Sequence, residues 1–251
     1  MKRTIALFVF FLFPYFHLPI FSAASDSLKV LGDSAYARQD YERAIRLYRK
    51  SAPSAAVCYN LGNCYYRMDS MAQAVLWYER ASMLSPGDAD IRFNLDMARS
   101  KTIDKITPRH QLFFVGWWQS LVSLMSVDAW ARLAILFFAL ALVSLGLYVY
   151  AQPLWLRKTG FTAFVLLFLL CVVGNVCALA GRSRILHRAS AIVMSPSAVV
   201  KSTPASSGSD LFVLHEGTRV EVRDSTLRQW AEVELSDGKI GWIEKKQIEV
   251  I

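Results

Sequence analysis

The side chains of this sequence best suited to chemistry are suited to recognition. Asn60, Asn63 and Arg67 fall in one predicted helix, and Arg92 falls in the next. An amide can pair with a peptide backbone, and a guanidinium can hold a carboxylate through two parallel hydrogen bonds. In the second half, Trp230 and Trp242 are candidates for an aromatic shelf. Nothing comparable points to catalysis. The chain has no GxSxG, GxxxxGK[ST], HExxH or GxGxxG stretch, and the reading is of a non-enzyme with no cofactor. Its histidines, His17, His110, His187 and His215, are scattered, and no CxxC occurs, so no metal site is expected. Cys58 and Cys64 are six apart in a predicted helix, roughly 9 Å at ~1.5 Å rise per residue, which is beyond disulfide reach.

Composition sets where such residues must work. The 251 residues are 54% hydrophobic, too apolar for an ordinary soluble domain, so part of the surface is expected to face lipid. A net charge of +8 is spread rather than clustered: residues 26–109 hold thirteen basic and ten acidic side chains, and 190–251 hold seven and nine. Backbone recognition of nucleic acid needs clustered cations, so that partner is disfavoured. Lys2 and Arg3, an apolar run from Ile5 to Phe21, and small Ser22 and Ala24 read as a secretory signal over 1–24, with an uncleaved anchor as the alternative.

The elements that would position the Asn and Arg side chains repeat. Gly62, Tyr65, Ala74, Tyr78, Ala81 and Pro86 are spaced 3, 9, 4, 3 and 5, and thirty residues upstream Gly32, Ala44, Tyr48 and Ser51 follow at 12, 4 and 3. Thirty-four residues after "YNLGNC", "FNLDMA" matches it. Small Gly62 and Ala74 let two helices approach where they cross, and Tyr65, Trp77 and Tyr78 fill the space around the crossing. Asp69 and Ser70 make the turn, and Pro86 with Gly87 ends the second helix. The pattern resembles the tetratricopeptide repeat (TPR), which implies an α-helical solenoid of about 2.5 repeats over 25–107. The first unit departs from it, with Ala35 for an aromatic and Ser51 for an alanine. A TPR stack has a concave groove lined by the first helix of each unit, and Asn60, Asn63, Arg67 and Arg92 are the groove candidates.

Residues 108–130 carry Phe113, Phe114, Trp117 and Trp118, the composition of a helix lying in a membrane interface. Two uncharged runs follow within 131–181, read as spans 133–151 and 160–180, each long enough for a ~30 Å hydrocarbon core. In the second, Cys171, Gly174, Ala178 and Gly181 recur at 3, 4 and 3, a small-residue stripe open to a partner helix. Asn175 lies beside it, and its amide is expected to bond to another helix. With the signal exported, both soluble parts share the periplasmic side of a bacterial inner membrane. Arg182, Arg184 and Arg188 after span two pull against that orientation under the positive-inside rule.

Residues 190–251 change character to short, β-rich segments. Ala231, Val233 and Leu235 alternate with Glu232 and Glu234, and Asp237-Gly238 suits a tight hairpin turn. Trp230 and "DGKIGWI", with Gly241 and Trp242, resemble bacterial SH3 domains, which implies a small β-barrel.

The order of signal, TPR, aromatic segment, transmembrane hairpin and SH3-like barrel resembles the BatE-type TPR/SH3 membrane proteins of bacterial Bat aerotolerance operons. "DADIRFNLDMARSKTIDKI" (88–106), the aromatic segment, "LFVLHEGTRVEV" and "GWIEKKQIEVI" carry that likeness. It implies a membrane-anchored scaffold in stress tolerance, working beside von Willebrand A-domain membrane proteins, a MoxR-type ATPase and other Bat-operon products. The alternative is a receptor whose barrel binds peptidoglycan peptide.

Overall fold

The computed structural model describes residues 23–106, 113–186 and 190–251. The expected leader lies outside these residues except for its last two positions, as do 108–112 of the aromatic segment.

Five helices come first: α1 (Ala23–Ala37), α2 (Tyr41–Tyr48), α3 (Ala55–Arg67), α4 (Met71–Leu84) and α5 (Ala89–Ser100). Their starts are set locally, by capping side chains that satisfy first-turn N–H groups. Asp40 accepts from Arg43 N, Ser54 from Val57 N, and Asp88 from both Asp90 N and Ile91 N. The turns between α1 and α2 and between α3 and α4 each pass through one left-handed residue, Gln39 (φ 63°) and Asp69 (φ 59°). The chain therefore reverses in the same way twice, giving the pairs α1/α2 and α3/α4. Ala44, Tyr48, Ala74, Tyr78 and Ala81 are all buried between helices. Tyr65 is half-buried and its hydroxyl accepts from Arg49, while Pro86 follows the end of α4.

A third pair would need a helix packed against α5 as α4 packs against α3, and a sheet takes that place. Leu95 and Ala98 of α5, with Val75 and Leu76 of α4, form one buried cluster with Ile192 and the final residue, Ile251. The apolar face of a half-repeat, which would otherwise meet water, is thereby covered.

The aromatic segment does not form one helix up to Trp130. It breaks into α6 (Phe113–Val122) and α7 (Val127–Tyr150), because Ser126 caps a new helix by accepting from Ala129 N. Trp130 folds back across the break, donating from Nε1 to Val122 O. Helix α7 and the long α8 (Leu154–Leu186) pack along each other as a hairpin, and both are long and apolar enough to cross a membrane.

Helix α8 meets α7 with the side that carries Cys171, Gly174 and Cys177, all buried. A Cβ at Gly174 would sit 3.1 Å from Ala134 Cβ, and one at Gly181 would sit 2.9 Å from Val127 Cγ2. Ala178 is half-buried on the same side. Asn175 departs from expectation. Its side chain is exposed, and Nδ2 donates to Cys171 O one turn back in its own helix, so this donor bonds within α8 and not across to α7. A matching small face on α7, Ala134, Ala141 and Ser144, is buried too.

The C-terminal part has β1 (Ser190–Val193), β2 (Ser197–Lys201), β3 (Asp210–His215), β4 (Arg219–Asp224), β5 (Trp230–Glu234), β6 (Ile240–Glu244) and β7 (Ile248–Val250). They make one antiparallel sheet in the order β3-β2-β6-β5-β4-β1-β7. The end strands β3 and β7 do not pair, so the sheet is open rather than the closed barrel expected. Ala231, Val233 and Leu235 do face the core, and Gly238 takes φ 89° in the β5–β6 turn. Trp230 is in the core, whereas Trp242 is half-buried. Gly241 lies tight against β2, where a Cβ would come within 2.5 Å of Val200 Cγ1.

Candidate interaction groove

One face of the helical pairs carries a concavity of about 410 Å³ lined by Tyr36, Tyr59, Asn63, Tyr66, Arg67, Tyr78, Asn94 and Met97. Residues 59, 63 and 66 belong to α3 at the i, i+4, i+7 spacing of one helix side. Tyr36 comes from α1, and Asn94 and Met97 come from α5. Three first helices thus build one wall, with Tyr78 of α4 beneath it.

Two of the four groove candidates, Asn63 and Arg67, lie on this surface. Asn60 is turned toward the preceding pair, where Nδ2 donates to Asp33 Oδ1 at 2.9 Å and to the Tyr48 hydroxyl at 3.3 Å. Arg92 lines a different hollow, with Pro86 and Gly87 on one side and Gly116 and Gln119 of α6 on the other. Its helix is the expected one, but its side of that helix is not.

The reason Asn60 is not free becomes clear when the pairs are superposed by sequence. In the first, Tyr48 donates to Asp33 Oδ1 at 2.7 Å, and Asn60 of the next helix joins the same oxygen. In the second, Tyr78 donates to Asn63 Oδ1 at 2.7 Å, and Asn94 of the next helix joins that oxygen at 3.1 Å. The same three-group bond is made twice, tying each pair to the one that follows. Each such bond contributes about 1 kcal/mol net. Asn94 also donates to the Tyr59 hydroxyl at 2.8 Å.

Burial and then the nearby Tyr59 push the Tyr78 hydroxyl well above its ordinary pKa, and burial followed by the Asp33 contact does the same for Tyr48. Both remain hydroxyl donors at any working pH. Burial would raise the Asp33 carboxyl, but hydrogen bonds from Lys29, Tyr48 and Asn60 outweigh it and hold it low. Burial also pushes the Cys64 thiol up to about 12, which leaves little thiolate there, and all four cysteines are buried and outside any disulfide. Among the described residues, no three His, Cys, Asp or Glu side chains gather as metal ligands.

Sequence reasoning missed Tyr36, Tyr59, Tyr66, Asn94 and Met97. The signal for them was present: Asn63 repeats as Met97 and Tyr59 as Phe93 at the same thirty-four-residue offset that relates "YNLGNC" to "FNLDMA".

The opposite side of α4 is occupied by the sheet. Glu79, with its side chain 6% exposed, pairs with Arg99 of α5 and, at 3.5 Å, with Arg219 of β4. Arg80 reaches Glu249 at 3.1 Å and the Val250 carbonyl at 2.7 Å while its guanidinium stacks on Trp77. Asp104, just after α5, accepts from His215 N and Thr218 Oγ1, and its other oxygen lies 2.8 Å from His215 Nδ1.

Helical pairs joined by an Asx- or Ser-capped turn, with Gly against Tyr at each crossing and a concave wall of first helices, make a helical-repeat region of the tetratricopeptide kind. Residues 55–88, the whole of α3 and α4, match the tetratricopeptide repeat family, so the chain contains a TPR. No curated protein matches the chain.

Proposed function

We propose that this protein is a non-enzymatic, membrane-anchored scaffold of a bacterial envelope, which holds partner proteins in its TPR groove. The observation that carries the reading is the concavity of about 410 Å³, walled by three successive first helices, with the sheet packed on the other side of α4. TPR repeats imply protein partners in general. The two apolar helices, mostly exposed along their length, support anchoring in lipid, and the exposed Phe113 and Trp117 of α6 support a helix at the interface beside them.

The likeness to BatE-type proteins supports a finer reading: an inner-membrane protein with TPR and sheet on the periplasmic side, partnered by von Willebrand A-domain membrane proteins in a Bat-type aerotolerance complex. A peptidoglycan-binding role for an SH3-like C-terminal part rests on the resemblance of "DGKIGWI" alone. With Trp230 in the core, only Trp242 is left for a shelf.

A photo-crosslinking amino acid placed at Met97 in the groove, compared with one at exposed Glu42 on α2, tests the reading in membranes. Discrete protein adducts from position 97 and none from 42 are expected. Equal adducts from both positions would remove the groove from the account.

A further inference from the structure

Two cations at the groove have no carboxylate to meet. Arg67, at the end of α3, and Lys101, just after α5, occupy the same repeat position thirty-four residues apart. Both are exposed, and neither has a carboxylate partner among the described residues. Lys101 Nζ lies 4.2 Å from the centroid of Tyr66, a groove residue next to Arg67 in sequence. Arg67 lines the concavity together with Tyr36, and the neighbouring tyrosines, Tyr36 first, favour its charged form. The carboxylate of Asp33 on α1, by contrast, is already consumed by Lys29, Tyr48 and Asn60. One exposed ring lies a helical turn from the groove lining. Phe93, equivalent to Tyr59 by the same offset and one turn before Met97, is 65% exposed.

We infer that the occupant of this groove is an extended acidic segment of a partner protein that also bears aromatic side chains, its carboxylates meeting Arg67 and Lys101 and its rings meeting Phe93 and the tyrosine wall. The inference rests on the groove being the interaction site. Charge complementarity selects the sign of the ligand. A guanidinium and an ammonium repeated along one wall favour successive carboxylates, and each is a charge-assisted donor stronger than a neutral one. Tyrosines at positions 36, 59 and 66 give rigid amphipathic area for aromatic side chains at low entropic cost. The alignment of the two cations at one repeat position is what a stretched chain crossing the first helices would read.

Fluorescence anisotropy on the full-length protein in detergent tests this with three labelled peptides: alternating Glu and Phe, alternating Gln and Phe, and alternating Lys and Phe. The Glu-Phe peptide is expected to bind about 10-fold or more tighter than the Gln-Phe peptide, and to weaken with salt. The double variant Arg67→Glu with Lys101→Glu is expected to lose that preference and gain affinity for the Lys-Phe peptide. Equal binding of Glu-Phe and Gln-Phe, no change in the double variant, or no binding of Glu-Phe to a protein with its helical spectrum intact would each overturn the inference. Met97→Trp, which fills the groove, separates the two readings. If it abolishes a binding that is indifferent to charge, the groove stands and the acidic ligand falls. If it changes nothing, the groove itself falls.

Discussion

The backbone of Gly62 lies against the ring of Tyr78 so closely that a Cβ there would sit 2.5 Å from Cδ1, and Gly32 meets Tyr48 in the same way at 2.6 Å from Cε1. A methyl group cannot enter either contact unless the ring moves, and both rings are fully buried. Gly62→Ala is therefore expected to destabilise the helical part by about 1–3 kcal/mol, as overpacking does. Tyr78→Phe keeps the ring and loses only the bond to Asn63, costing about 1 kcal/mol. Chemical denaturation followed by far-UV circular dichroism measures both, and a Gly62→Ala protein as stable as the parent would contradict the packing.

Ile251 is the last residue of the chain and is buried between α4 and α5. Ile251→Ala is expected to cost about 2–5 kcal/mol, and the loss should appear in the helices as well as the sheet. Hydrogen exchange is the discriminating measurement: amides of α5 should lose protection together with those of β7. Loss confined to β7 would show that the sheet does not cap the repeats.

Glu79 stands between two arginines from different parts of the chain, Arg99 and Arg219. Glu79→Ala leaves both guanidiniums facing each other with no buried acceptor between them. Both are partly exposed and keep some water, so the cost is expected at about 2 kcal/mol. Proteolysis between the helices and the sheet should accelerate in this variant. Glu79→Gln, which retains a hydrogen-bond acceptor, should lie between it and the parent.

Burial alone would raise the Asp104 carboxyl, but the hydrogen bonds from His215 N, Thr218 Oγ1 and the His215 ring prevail and hold it below the ordinary aspartate range. A carboxyl depressed in the folded state adds stability that is present above its unfolded pKa of about 3.9 and is lost as pH falls through the folded value. The contact between the helices and the sheet should therefore weaken below about pH 4. Asp104→Asn should flatten that part of the acid unfolding curve. A curve of unchanged shape in Asp104→Asn would exclude the carboxyl as its source.

Ser207 is exposed in the loop after β2, and the native cysteines are buried. If the sheet is periplasmic, Ser207→Cys should react in intact cells with a maleimide that cannot cross the inner membrane. Labelling only after the membrane is opened would reverse the orientation.

The helical repeats and the two apolar rods were legible from spacing, because the helical period is a local property that neighbours in sequence impose on one another. Gly32 and Gly62, each with its tyrosine a fixed interval downstream, were readable for the same reason. The hairpin turn at Asp237-Gly238 needed only the backbone freedom of Gly238. The groove was half-readable. Asn63 and Arg67 lie on it, but Asn60 on α3 and Arg92 on α5 face elsewhere although both helices wall the groove, since a side chain's angular position depends on which neighbour the helix packs against.

What the sequence determined by itself is the set of elements: capped helices in repeating pairs, two rods fit for lipid, and alternating strands ending in an apolar tail. Only the tertiary structure decided that the sheet stays open and that it lies on α4 in place of a missing helix. Contacts such as Arg80 with Glu249, 169 residues apart, leave no period or spacing in the sequence. They form because two apolar faces, one from a half-repeat and one from the edge of a sheet, lower their free energy by excluding water from each other.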